Sequence, residues 1–87
     1  MYIPIGNHMA LRDASIIGIF DLDQTSTSKK TREFLARAER EGQVVTVSDD
    51  LPKSFILTRE FSFDRVYLTQ FSSQTLEKRV RAFQESL

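Results

Sequence analysis

The stretch IIGIFDLDQTSTS, residues 16–28, decides how this chain folds. An uninterrupted apolar run, Ile16 to Phe20, opens directly into Asp21-Leu22-Asp23-Gln24-Thr25 and then into Ser26-Thr27-Ser28. Two architectures present such a segment. In a parallel α/β sheet, a strand followed by Asp-x-Asp-x-Thr offers a nucleophilic carboxylate and a second acid/base carboxylate for phosphoryl transfer. In a small α+β domain the same residues are a core strand and the entrance of a helix, because acids and hydroxyls favour the positive helix end.

Scale separates the two. Phosphoryl transfer also needs a lysine and further acids to hold magnesium, and Thr46, Asp49, Asp50 and Lys53 superficially supply them. A parallel doubly wound sheet, however, takes several crossover units of about 30 residues each before those acids arrive beside the first strand. Only about two dozen residues separate Thr25 from Asp49, enough for one crossover. Asp21 and Asp23 therefore read as a strand-to-helix junction, and the expectation is a non-enzyme with no catalytic residue. At 87 residues the chain has room for one core, so residues 1–87 form a single domain.

Outward from that junction the punctuation is regular. Tyr2 to Ile5 and Met9 to Leu11 read as short strands around a Gly6-Asn7 turn, with His8 beginning the second. Ile16 to Phe20 fits a strand buried on both faces. From Lys29 to Glu41, Thr31, Phe34, Leu35 and Ala38 share one face at helical spacing, with Ser26, Thr27 and Ser28 as capping oxygens and Gly42 as the stop. Val44 to Val47, Phe55 to Thr58 and Val66 to Thr69 are three further strands. A last helix runs from Ser72-Ser73 to about Gln84 with Leu76, Val80 and Phe83 as its apolar stripe. The order β-β-β-α-β-β-β-α predicts a small α+β domain, a mostly antiparallel sheet with two helices.

Composition narrows the functions. Lysine plus arginine and aspartate plus glutamate are 12 each, so any basic surface must be local. The absence of cysteine removes disulfides, thiolate zinc sites and thiol nucleophiles. His8 is the one histidine and finds no triad or metal-ligand spacing; no metal, cofactor or small-molecule substrate is expected. The opening residues lack a signal-peptide pattern and no run is long enough to span a membrane, which points to the cytoplasm. Among the basic residues, Lys29, Lys30, Arg32, Arg37 and Arg40 are interleaved with glutamates, and Lys78, Arg79 and Arg81 form the densest cluster. Phe61 and Phe63 alternate around Ser62, a strand pattern that favours one buried face; left in water, they would be anchors for a partner subunit.

Met1-Tyr2-Ile3 with Gly6, Ile16-Ile17-Gly18-Ile19-Phe20-Asp21, Pro52-Lys53-Ser54 before Phe55-Ile56-Leu57, and Ser72-Ser73-Gln74-Thr75-Leu76-Glu77-Lys78-Arg79 together resemble the RemA/RemB family of bacterial extracellular matrix regulatory proteins, closest to the RemB branch. The resemblance implies a small cytoplasmic regulator of biofilm matrix genes. In the RemA branch it also implies a ring-like homo-oligomer that binds DNA through arginines repeated around the ring. RemA-type members carry an arginine just before the Ile-rich strand, where this chain has Ser15, with Arg12 the nearest cation. They carry adjacent arginines where this chain has Asp50 and Leu51, which leaves Lys53 as the matching cation. The span from Glu60 to Asp64 is longer than usual in the family, which singles out Phe61 and Phe63 as interface candidates. Two expectations follow: a self-assembling transcription regulator that touches DNA through Lys53 and Arg12, or an oligomeric scaffold that acts through protein contacts.

Overall fold

A computed structural model describes residues 2–6, 8–22 and 28–85, with the side chains of 83–85 outside the description. The elements are β1 (Tyr2–Gly6), β2 (Met9–Arg12), a 3-10 turn (Asp13–Ser15), β3 (Ile16–Asp21), α1 (Lys29–Arg40), β4 (Val44–Thr46), β5 (Ser54–Glu60), β6 (Phe63–Thr69) and α2 (Ser73–Glu85). The expected order and the α+β class hold. Asn7, Asp23 and the capping candidates Ser26 and Thr27 lie outside the described residues, as does the side chain of Phe83.

β1 and β2 pair as an antiparallel hairpin. The other four strands form one sheet in the order β3-β5-β6-β4, antiparallel except where β4 runs parallel to β6. The single crossover that the sequence has room for is the one observed: β3, α1 and β4, with the β5-β6 hairpin inserted between the two strands. Three layers result. Because strand side chains alternate between faces, Ile56 and Tyr67 join Ile5, Leu11, Val47 and Leu76 under the hairpin and α2, while Phe55 and Val66 meet Ala38 of α1 on the other side.

The helix boundaries have local causes. Ser28 accepts a long bond from the Thr31 amide at 3.5 Å, and Ser72 accepts the Thr75 amide at 3.2 Å. α1 ends in a Schellman turn: the Gln43 amide donates to the Ala38 carbonyl at 2.9 Å and the Gly42 amide to Glu39 at 3.1 Å. That geometry needs a left-handed residue, and Gly42 supplies it with φ of 72°. Two buried hydroxyls join the layers. The Thr69 hydroxyl donates to the Ile5 carbonyl at 2.6 Å and accepts the Phe71 amide at 3.2 Å, and Ser54 donates to the Phe71 carbonyl at 2.7 Å.

Three local expectations are corrected. His8 is an exposed turn residue with φ of 65°, and β2 starts after it at Met9. The Ile16 to Phe20 run is an edge strand, not one buried on both faces: Ile17 is 55% exposed and Phe20 37%. The central positions go instead to β5 and β6, whose short apolar cores extend through charged residues to Glu60 and back from Phe63. Phe61 and Phe63 are not core residues; they are 85% and 72% exposed.

Candidate nucleic-acid and assembly surface

β5 carries the candidate residues at its two ends. Lys53 immediately precedes the strand, where its amide donates to the Thr69 carbonyl at 2.9 Å and its carbonyl accepts the Leu22 amide at 3.0 Å. The backbone is thus held from both neighbouring strands while the side chain stays exposed. Arg12 ends β2 and reaches the other end of β5, where its guanidinium meets the Glu60 carboxylate at 3.3 Å. Seven strand residues at about 3.3 Å each put the two cations about 20 Å apart, so one subunit does not combine them in a single patch.

Phe61 and Ser62 are the whole of the β5-β6 turn, because Glu60 pairs with Phe63. A type I′ two-residue loop, whose twist matches that of its strands, has positive φ at both positions, and these residues have 52° and 70°. Neither is glycine or asparagine, the residues that tolerate that region. The conformation is imposed by the hairpin below. There Arg59 grips Asp64 with both ends of its fork, at 2.6 and 3.1 Å. The bonded guanidinium holds the Asp64 carboxyl below its ordinary range, and the same contact raises Arg59 further. Beside the turn a depression of about 300 Å³ is lined by Leu11, Ser15, Thr58, Phe63, Arg65 and Tyr67, among others.

Other cations divide by partner. Arg79 is structural: it donates to the Pro4 carbonyl at 2.9 Å and lies 4.4 Å above the Phe71 ring, fastening α2 to the first hairpin. Lys78 and Arg81 remain exposed, and Lys29 meets Glu33 at 4.0 Å on α1. The sequence reading passed over Arg65, an exposed residue on the rim of the turn depression. Its signal was only its place two residues after Phe63, once the strand is known to begin there. Ser15 is buried and donates to the Arg12 carbonyl at 2.8 Å, so this position contributes to a turn, not to a charged surface.

Of the suspected phosphoryl-transfer residues, Lys53 lies beside the end of β3, its carbonyl accepting from the amide of Leu22 next to Asp21. Asp21 ends the edge strand β3, whereas Asp49 and Asp50 follow β4 at the opposite edge. Among the described residues no group of three His, Cys, Asp or Glu side chains is arranged to hold a metal ion, and no helix is long and apolar enough to cross a membrane.

The chain is 32% identical over 81 residues to Extracellular matrix regulatory protein B of Bacillus subtilis (strain 168), a match that covers 93% of this chain and 91% of that protein. The chain belongs to the RemB-like family of extracellular matrix regulatory proteins. No protein-family model matches it. Membership accounts for the quoted resemblance along nearly the whole chain, including the Ile-rich β3 and the Pro52-Lys53-Ser54 approach to β5. In this family member those motifs are the junctions of the fold: β3 forms a sheet edge, and Lys53 is bonded through its backbone between β3 and β6.

Proposed function

We propose that the protein is a homo-oligomeric regulator of extracellular matrix gene expression that contacts DNA through one weak phosphate site per subunit, repeated by assembly. The observation that carries the reading is Lys53. It is an exposed cation on a backbone pinned from both sides, at the position where the family resemblance implies a basic residue, in a chain 32% identical over 81 residues to Extracellular matrix regulatory protein B. Pinning supports the role because an anchored lysine presents its charge in register in every copy. Repetition raises effective concentration, so a neutral subunit can still hold a duplex. The contact is to phosphate, not to base edges. Titration of a matrix-promoter duplex with the intact protein should give binding that weakens steeply with salt and with Lys53→Ala. Absence of salt-dependent retardation at every protein concentration would overturn the DNA reading.

A second reading is favoured by specific observations: Arg12 is paired with Glu60, Ser15 is buried, and Phe61 in the β5-β6 turn and Phe63 at the start of β6 stand exposed. On it the protein is an oligomeric scaffold whose partners are other proteins. It predicts assembly without DNA affinity, and Phe61→Ser with Phe63→Ser then abolishes assembly or partner capture. Unchanged mass by light scattering together with unchanged capture would refute it.

A further inference from the structure

The sheet leaves an edge that the proposed function does not use. β3 pairs with β5 on one side only, and among the described residues no strand covers the other side. Natural proteins usually blunt such an edge with lysine, proline or short length. Ile16 to Phe20 has no charge and no proline, and β3 is six residues long. Its register irregularity lies between Ile16 and Gly18, which leaves Gly18 to Asp21 in regular pairing with β5. The opposite edge differs: β4 has three residues and is followed closely by the exposed acids Asp49 and Asp50.

Both faces beside the open edge are hollow. Toward α2 lies a depression of about 400 Å³ bordered by Asp13, Ile16, Ile19, Glu77, Val80 and Arg81. Toward α1 lies one of about 270 Å³ bordered by Phe20, Phe34, Phe55 and Leu57. The Phe20 ring stacks on Phe55 at 5.0 Å and lies across Gly18, where a Cβ would come within 2.8 Å of it. Glycine there lets the ring fold back, so the wall of the α1 depression depends on it. A strand added along β3 would send alternate side chains into the two depressions, as strand addition requires.

We propose that the occupant is β3 of a second copy, paired antiparallel about a two-fold axis. The inference rests on the homo-oligomer reading above and names its contact. A second β3 matches this edge in length, and its apolar side chains suit the α1 depression, which is walled mainly by phenylalanine and leucine; the α2 depression adds Ile16, Ile19 and Val80 beside the charged Asp13, Glu77 and Arg81. Because Ile16 to Phe20 is uncharged, self-pairing opposes no like charges over those residues. A two-fold contact is closed by the same strand in both subunits. It leaves Lys53 and the Phe61 turn available for other contacts.

The absence of cysteine makes the test direct, since a single introduced thiol has no background. Light scattering on the intact protein should give a mass above the 10.0 kDa monomer, and Ile17→Lys should lower it at least two-fold with its melting transition retained. Ile17→Cys, independently, should be trapped by a short bismaleimide as a covalent dimer with no higher ladder. An assembled protein whose mass is indifferent to Ile17→Lys would overturn the β3 contact. So would cross-linking that appears only when Ile17→Cys is combined with Thr46→Cys, which signals head-to-tail pairing with β4. A wild-type chain that stays monomeric at all concentrations would instead overturn the oligomer reading on which this one rests.

Discussion

Replacing Phe61-Ser62 by Asn-Gly should stabilise the domain and tests whether Phe61 is an exposed anchor. Both residues hold positive φ, 52° and 70°, in the two-residue loop of β5-β6. A non-glycine residue in that region costs roughly 1 kcal/mol. Asparagine tolerates it better, and glycine tolerates it freely but gives back about 0.5–1 kcal/mol of chain entropy. Phe61 is 85% exposed, so little apolar burial is lost with it. The net gain is about 1 kcal/mol, which in a chain of this size raises Tm by about 4–8 °C. The melt is to be followed across protein concentration, because assembly by itself raises apparent Tm. An unchanged or lower Tm at the dilute limit would refute the argument that this turn is strained. If Tm rises and self-association or partner binding falls, stability has been given up locally for an exposed aromatic anchor. If Tm rises and both persist, Phe61 is not that anchor.

Thr69→Val keeps the shape of a buried side chain but leaves the Ile5 carbonyl and the Phe71 amide without their partner, and should cost about 1–3 kcal/mol in denaturant unfolding. Arg79→Lys should cost about 1 kcal/mol despite conserving charge, since lysine reproduces neither the stack on Phe71 nor the geometry of the bond to Pro4; Arg79→Lys melting as wild type would count against a structural role. The Asp64 carboxyl is held below its ordinary value by Arg59, so its contribution is complete above the unfolded carboxylate value of about 4 and is lost as pH falls through the lower folded value. The Tm difference between wild type and Asp64→Asn should therefore be constant near neutrality and shrink in acid; a difference that grows on acidification has the wrong sign.

The element order was legible because each boundary had a local chemical cause. Ser28 and Ser72 cap helices, Gly42 supplies a left-handed stop, and the Lys29 to Glu41 stripe at helical spacing meets the sheet where expected. Strand rank within the sheet was not legible. An apolar run such as Ile16 to Phe20 looks the same whether it is buried by strands on both sides or by helices over an edge, and pairing partners come from distant segments. The turn at Phe61-Ser62 was hidden for a related reason: local propensity offers glycine or asparagine as the signal for such a loop, and here the hairpin pairing overrides it. Among the site residues, Lys53 and Arg12 could be named but not their separation, because the distance between them is the length of a strand whose ends are charged.

That separation bears on how a neutral subunit could hold DNA. With Lys53 and Arg12 about 20 Å apart and Arg12 engaged by Glu60, the proposed reading gives each subunit one phosphate contact, at the Lys53 end. Each lysine that neutralises a phosphate contributes about 0.9 to the slope of log affinity against log salt. On the proposed reading the slope therefore counts subunits in contact with the duplex, not cations on one subunit. Lys53→Ala should flatten it nearly completely, while Arg12→Ala should change it little unless the Glu60 pair opens on binding. A protein that assembles normally and keeps a steep slope without Lys53 would move the contact elsewhere, first to Lys78 and Arg81 on the exposed side of α2.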